Sequence, residues 1–151
     1  MKSINGKKIA AYLNEELKDK LKSFRIKENI TPTLVVVLVG ENPASNIYVK
    51  NKKIKADEVG INSVVKKLDS GVTEKQLLEI IDNYNKDNNV DGILVQLPLP
   101  SHINTEKIID AISYEKDVDG FNSKNIGLLA QGRPYVVPCT PLGCLKLLKT
   151  E

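Results

Sequence analysis

Aromatic residues are scarce in this sequence. They make up 5% of the 151 residues, and tryptophan is absent. The net charge is only +3, and the lysines are scattered along the chain instead of forming a basic patch interleaved with aromatic side chains. Proteins that bind nucleic acid usually carry such a patch. We therefore expect no nucleic-acid partner and interpret most of the lysines as solvated helix faces.

Ligands for a metal ion and segments for a membrane are also scarce. Two cysteines, Cys139 and Cys144, and one histidine, His102, cannot form a four-ligand zinc site, so we expect no metal. The cysteines are predicted to be small buried hydrophobic residues. No apolar run approaches the ~20 residues that span a bilayer, and residues 1–13 lack a signal-peptide core. These patterns predict a cytoplasmic protein without a membrane partner.

The bulk composition is that of a globular domain. Apolar residues account for 41% of the chain and charged residues for 27%. These values exclude disordered and disulfide-scaffold classes, and the length suits one hydrophobic core. We therefore treat residues 1–151 as one domain.

The order of the predicted elements favours an α/β fold. Residues 34–39 and 92–95 are apolar throughout, a pattern typical of strands covered on both faces in a parallel sheet. A third strand is predicted at 62–68. Helices are predicted at 6–27, 44–61, 73–86, 103–112 and 122–129, with a last one after an N-cap at Thr140. This alternation predicts a three-layer α/β/α domain with an open, mostly parallel sheet.

One lysine of the segment ASNIYVKNKKIKADEVGI (44–61) differs from its neighbours. At about 100° per residue, Lys52 falls on the same helix face as Ser45 and Tyr48, within an arc that is otherwise apolar. Lys52 is therefore the lysine that we expect to be partly desolvated. The alternative interpretation is that Lys52 buries only the aliphatic part of its side chain and keeps its amine in water.

Three loops follow the predicted strands and helices at places where ligands bind in open α/β sheets. They contain Ser45, Gln96 and the pair Asp117 and Asp119. If the loops converge, these residues share a cleft with Lys52. Each has a structural alternative: Tyr48 as a core residue, Gln96 as a partner for backbone groups of the proline turn, and the aspartates as Asx-turn residues.

Four segments together resemble one enzyme family. They are GENPASNIYVKNKKIKADEVGI, DGILVQLPLP, KDVDGFNSKNIG and PCTPLG. In order and spacing they are similar to the methylenetetrahydrofolate dehydrogenase/methenyltetrahydrofolate cyclohydrolase family. In that family a first domain carries the folate site and a second, Rossmann-type domain binds NADP or NAD. The present chain resembles only the first domain, since it has no G-x-G-x-x-G turn.

The resemblance assigns roles to individual residues. It implies catalytic roles for Lys52, Tyr48 and Gln96, with Lys52 as a general acid/base whose amine is hydrogen-bonded by Gln96. It implies substrate binding by Tyr48, Asp119, Ser45, Gln96 and Pro98. It places Cys139, Thr140 and Pro141 next to the cofactor, and residues 140–151 at the start of a helix leading to the absent domain.

The expected function is the interconversion of 5,10-methylenetetrahydrofolate, 5,10-methenyltetrahydrofolate and 10-formyltetrahydrofolate. The dehydrogenase step would need the absent domain, and the full-length enzyme is expected to be a homodimer. The alternative is an isolated folate-binding module without turnover. A noncatalytic α/β regulatory domain is a third possibility.

Overall fold

The computed structural model describes residues 4–149. In chain order the helices and strands are α1 (Gly6–Glu28), β1 (Thr33–Val39), α2 (Pro43–Val59), β2 (Asn62–Leu68), α3 (Glu74–Lys86), β3 (Gly92–Val95), α4 (Thr105–Ala111), α5 (Ser123–Ala130) and α6 (Cys139–Lys149). The strands and the first five helices lie within two residues of their predicted bounds.

The three strands form a parallel sheet in the order β2-β1-β3. In the register, Val35 of β1 lies opposite Val64 of β2 and Ile93 of β3. Residues 35–39 of the central strand are buried, as their unbroken apolar run predicts. The predicted α/β class and parallel sheet are confirmed.

Helices cover both faces of the sheet. On one face, alternate residues of β1 pack with Leu77 and Ile81 of α3 and with Ile108 of α4. On the other face, Val36 and Leu38 pack with Val49 of α2. Successive strand residues point to opposite faces, so the apolar run of β1 supplies both cores. The predicted three-layer arrangement is therefore observed.

Helix α2, which carries the lysine segment, has well-defined ends. The Asn42 side chain accepts a hydrogen bond from the Ser45 backbone N at 3.0 Å, and Pro43 occupies the first turn. Gly60 ends the helix with a φ of 94°, a conformation that favours glycine. The caps set where α2 begins and ends, and the packing of its apolar residues sets which of them face the sheet.

Two predictions about the C-terminal part of the described chain are wrong. Helix α6 begins at Cys139, and the Leu142 backbone N donates to the Pro138 carbonyl oxygen at 3.1 Å, so Thr140 lies inside the first turn and is not the N-cap. Cys139 and Cys144 are exposed and not buried. The physical reason is that no residue of α6 is buried against the rest of the domain.

Neither a membrane-crossing helix nor a metal-binding cluster occurs among residues 4–149. No helix in this range is both long and apolar enough to cross a bilayer. The same residues contain no group of three or more His, Cys, Asp or Glu side chains that could hold a metal ion.

Glu74 links α3 to the start of α4 and makes folding sensitive to acid. Its carboxylate accepts hydrogen bonds from the Lys107 ammonium and from the Asn104 backbone N. These bonds, the one from Lys107 first, hold the pKa of Glu74 below its ordinary value of 4.5. A carboxyl whose pKa is lower in the folded state stabilises that state at neutral pH, and this contribution is lost as the pH falls through the folded-state pKa.

We predict that Glu74→Gln lowers the free energy of unfolding at pH 7, and that the difference from the wild type shrinks below about pH 4.5. Urea unfolding across this pH range measures it. Glu79→Gln is the matched control, because Glu79 lies on the same helix and only reaches Lys75 at 4.0 Å. Equal pH dependence in the two variants would contradict the assignment.

Candidate active site

Helix α2 separates one lysine from the others. The residues that it buries are Ser45, Val49, Ala56 and Val59. Lys52 lies on this side and is half-buried, whereas the neighbouring lysines at 50, 53 and 55 are exposed. The periodicity argument for a partly desolvated Lys52 is confirmed.

Lys53 and Lys55 also differ from Lys52 because each of them forms an ion pair. Lys53 Nζ lies 3.1 Å from Asp57, and Lys55 Nζ lies 2.6 Å from Glu58. By contrast, within residues 4–149 no hydrogen bond or ion pair is made by the Lys52 amine. Lys52 is therefore free to interact with a ligand.

The Lys52 amine faces a cavity of about 500 Å³, which we call the lysine cavity. Lys52 and Tyr48 of α2 line one side. The other side is lined by Asp119 together with Cys139 and Thr140 at the start of α6. The lining also includes the apolar residues Leu34, Leu94 and Val118. The cavity thus combines one amine and one carboxylate with a largely apolar wall.

A second hollow of about 270 Å³ lies beside the lysine cavity and shares Tyr48 with it. Its other lining residues are Asn42, Ala44, Ser45, Gln96, Leu97 and Pro98. The Leu97–Pro98 peptide bond is cis. Tyr48 is 64% exposed, so the interpretation of Tyr48 as a core residue is wrong. Its ring is accessible from both hollows.

The position of the site differs in part from the prediction. The second hollow lies at the carboxyl ends of β1 and β3, as expected. The lysine cavity, however, is also bordered by Thr33 and Asp91 at the amino ends of these strands. Helix α2 runs back along the sheet, and the nine residue-to-residue steps from Pro43 to Lys52 span roughly 13 Å at about 1.5 Å each. This rise moves Lys52 away from the carboxyl edge.

Asp119 is a poorly solvated carboxylate. Burial raises its pKa, the charge of Lys52 lowers it, and the charge of Asp117 adds to the increase. Within residues 4–149, the Asp119 carboxylate accepts no hydrogen bond. Its oxygens are therefore available to donors of a ligand.

Gln96 does not bind Lys52, contrary to the expectation. Its Nε2 donates to the Leu97 carbonyl oxygen at 2.8 Å, so the side chain serves the proline turn, as the structural alternative proposed. Its Oε1 is buried and has no hydrogen-bond partner. One acceptor in the wall of the second hollow thus remains unused by the protein.

Asp117 is the residue that sequence reasoning underestimated. It is 2% exposed, and its carboxylate accepts hydrogen bonds from the backbone N of Gly120 at 3.0 Å and of Asn122 at 2.8 Å. The Asn125 Nδ2 adds a third at 2.9 Å. The Asx-turn interpretation holds only in part: the Asp117 carboxylate does hold the turn, but it accepts from backbone N–H groups three and five residues later and not two residues later. Two of its three donors are backbone N–H groups, which almost every residue has, so no sequence pattern signalled this role.

The three residues predicted next to a cofactor differ in position. The Cys139 thiol donates to the Val118 carbonyl oxygen at 3.3 Å. Although the residue is exposed as a whole, its thiol is partly covered, and this partial burial, followed by the charge of Asp119, raises its pKa. Cys139 and Thr140 line the lysine cavity, whereas Pro141 is exposed and lies outside its lining.

The fold and the two hollows define an α/β domain whose cleft holds one amine and one carboxylate. A family model described as "Tetrahydrofolate dehydrogenase/cyclohydrolase, catalytic domain" matches residues 4–119. The chain belongs to this family. The resemblance found in the sequence motifs is thereby confirmed.

Curated and solved relatives agree with this assignment. "Bifunctional protein FolD" of Moorella thermoacetica is 51% identical over 146 residues, which are 97% of this chain and 52% of that protein. The FolD dehydrogenase/cyclohydrolase structure from Campylobacter jejuni has a TM-score of 0.94 at 47% identity and covers 97% of this chain and 52% of its own. The Trypanosoma brucei enzyme complexed with NADP and an inhibitor has a TM-score of 0.94 at 28% identity, covering 99% and 51%. The chain spans about half the length of the curated relatives it matches.

The raised pKa of Asp119 predicts a stability cost. A carboxyl whose pKa is higher in the folded state favours the folded state only while it is protonated, and its ionisation at higher pH destabilises the fold. We predict that Asp119→Asn increases the free energy of unfolding at pH 7 by less than about 1 kcal/mol, since solvent screens part of the effect.

Urea unfolding at pH 7 measures this difference. The control is Asp110→Asn, because hydrogen bonds from the Ser123 backbone N and hydroxyl lower the pKa of Asp110. That variant should lose stability. A loss of stability in Asp119→Asn would contradict the prediction.

Proposed function

We propose that this chain is the catalytic domain of a bifunctional folate one-carbon enzyme. The enzyme interconverts 5,10-methylenetetrahydrofolate, 5,10-methenyltetrahydrofolate and 10-formyltetrahydrofolate, and its cyclohydrolase chemistry depends on Lys52. The observation that carries this proposal is the presence of Lys52 and Asp119, both without hydrogen-bonded protein partners, in one cavity. Membership of the folate enzyme family supports the choice of substrate.

Asp119 is the proposed anchor for the pterin ring. The pterin edge presents a ring N–H beside an exocyclic amine, and a carboxylate accepts two such parallel donors together. The Asp119 carboxylate lies in a poorly solvated position, where charge-assisted hydrogen bonds are stronger than in water. A bound folate would donate hydrogen bonds to this carboxylate, and these bonds would offset part of the free energy needed to bury its charge.

Tyr48 connects the two hollows and is the proposed stacking surface for the remainder of the folate. Its exposed ring borders both hollows, and aromatic rings stack well on flat ligands. Ser45, Gln96 and Pro98 line the second hollow, and the unused Gln96 Oε1 would accept a hydrogen bond from a ligand. Ser45 is 5% exposed, so it would act at the base of this hollow.

Lys52 is the proposed base for hydration of the methenyl group. A water oxygen forms a bond to the bridging carbon, and a neutral Lys52 amine accepts the proton that this water loses. The bond from the carbon to N5 then breaks. N5 takes up the proton held by Lys52, and the hydroxyl on the carbon loses its proton to the solvent as it becomes the carbonyl of the formyl group on N10, so that one proton is released overall. The positive charge of the bound methenyl group disfavours a charged ammonium beside it, and the apolar wall of the cavity acts in the same direction.

The dehydrogenase step is assigned to the whole enzyme. The chain has no glycine-rich nucleotide fingerprint, and its described strand-to-helix turns offer none: the turn before α2 begins the helix with a proline, and β3 leads into a cis-proline turn. These residues do not form a dinucleotide site. We propose that NADP or NAD is bound mainly by a second domain, to which a helix within residues 140–151 leads, with Cys139, Thr140 and Pro141 beside it.

Three further properties follow from the family and remain proposals. The folate is the substrate and partner of the site. The full-length enzyme forms a homodimer, and it acts in the cytoplasm. The FolD relatives, each about twice as long as the matched region, support the view that the complete activity belongs to a longer polypeptide.

One observation favours a second candidate function. Tyr48, Cys139 and Thr140 border the cavity yet are exposed. A cleft with such an accessible wall admits water freely, and active sites usually exclude it. This observation favours the alternative in which the isolated chain binds a folate without turnover.

The decisive comparison is between the wild type and Lys52→Met. We predict that the wild type accelerates hydration of 5,10-methenyltetrahydrofolate and that Lys52→Met lowers this rate by roughly 10²- to 10⁴-fold, the range expected for loss of a general base. Folate affinity should change by only a small factor, since Asp119 and Tyr48 remain. Loss of the methenyl absorbance measures the rate.

Lys55→Met is the control, because Lys55 is on the same helix and pairs with Glu58 away from the cavity. Equal rates for Lys52→Met and the wild type would refute the role of Lys52. Folate binding without any acceleration by the wild type would support the binding module. Absence of folate binding would leave a regulatory domain as the better interpretation.

A further inference from the structure

We propose that Asp117 is a positioning residue: its buried carboxylate fixes the turn that presents Asp119 to the ligand. The inference rests on the proposed function, in which Asp119 anchors a folate. It concerns a residue that makes no contact with the lysine cavity itself, since the Asp117 side chain is absent from the cavity lining.

The carboxylate of Asp117 collects three N–H donors from the chain that follows it. Oδ1 accepts from the Gly120 backbone N, and Oδ2 accepts from the Asn122 backbone N and from Asn125 Nδ2. Asp119 lies within the loop that the first two bonds close. Its backbone therefore cannot move without breaking hydrogen bonds to a buried charge, which are stronger than neutral ones.

The turn is also tied to the sheet. Asp117 forms a parallel β-bridge with Ile93, and the Ile93 backbone N donates to the Lys116 carbonyl oxygen at 2.7 Å. Ile93 belongs to β3, whose next residue, Leu94, lines the lysine cavity. The position of Asp119 relative to the cavity is thus set from the sheet through Asp117.

The same turn also contacts the start of α6, which lines the cavity beside Asp119. Gly120 has a φ of 71°, and a Cβ added to it would lie 3.1 Å from the Pro138 backbone N. The Cys139 thiol donates to the carbonyl oxygen of Val118 in the same turn. Displacement of the turn would therefore also move the start of α6, which lines the cavity.

Only a carboxylate satisfies this arrangement. An asparagine at 117 has one oxygen, and its NH₂ group would face N–H donors. At least one buried donor would then lose its partner, which is unfavourable. We expect the turn to rearrange and to shift the Asp119 carboxylate relative to the pterin.

A double-mutant cycle tests the inference. Tetrahydrofolate affinity is measured by calorimetry for the wild type, Asp117→Asn, Asp119→Asn and the double variant. In the background with Asp119 intact, we expect Asp117→Asn to weaken tetrahydrofolate binding by about tenfold or more. In the Asp119→Asn background, we expect it to weaken binding by less than about twofold. Asp110→Asn is the control: it removes a carboxylate that binds Ser123 of the neighbouring α5, and it should leave affinity unchanged.

Affinity of the folded protein does not respond to a loss of stability alone, so a purely structural role predicts no change in the dissociation constant. Unchanged affinity in Asp117→Asn, or equal weakening in both backgrounds, would overturn the inference while leaving the folate site intact. Unchanged affinity in Asp119→Asn would overturn the proposed site as well. If Asp117→Asn does not fold, Asn125→Ala removes one of the three donors and serves in the same cycle, with the same non-additivity expected.

Discussion

The site depends on an amine and a carboxylate that share a cavity while neither is bound by another group of the described protein. Lys52 stands out because it is half-buried without a partner among the described residues, whereas Lys53 and Lys55 are paired and Lys50 is exposed. Asp119 stands out because burial raises its pKa without a compensating hydrogen bond. Such groups are costly to a fold and are usually retained for a ligand. The amine and the carboxylate together define what that ligand must offer: hydrogen-bond donors at one end and a site of proton transfer at the other.

The surrounding structure explains how this arrangement is maintained. Helix α2 is capped at both ends and packs on the sheet through Val49, and this packing sets the position of Lys52. The turn of Asp119 is held by a buried aspartate and by a bridge to β3. The two charged side chains therefore come from separate, rigid supports. Preorganisation of this kind reduces the rearrangement required when substrate binds.

Much of the fold could be predicted because its signals are local. The unbroken apolar run of β1 predicts a strand buried on both faces, and the helical period of α2 identifies Lys52 among four lysines. The orientation of Gln96 could not be predicted, since it depends on the turn geometry that brings the Leu97 carbonyl oxygen within reach of the Gln96 Nε2. The burial of Asp117 depends on three donors brought together by the turn and α5, which a periodicity argument cannot detect. The exposure of Cys139 and Cys144 depends on how α6 lies against the domain.

The central claim is that Asp119 and Lys52 act on one bound folate. The most direct measurement is a crystal structure of this chain with a tetrahydrofolate analogue. The account predicts that the Asp119 carboxylate accepts two parallel N–H groups of the pterin, that the ring system lies along Tyr48, and that Lys52 Nζ is the protein amine nearest the bridging-carbon position. A pterin bound in the apolar groove on the other side of α2, lined by Ile47 and Ile54, would contradict it.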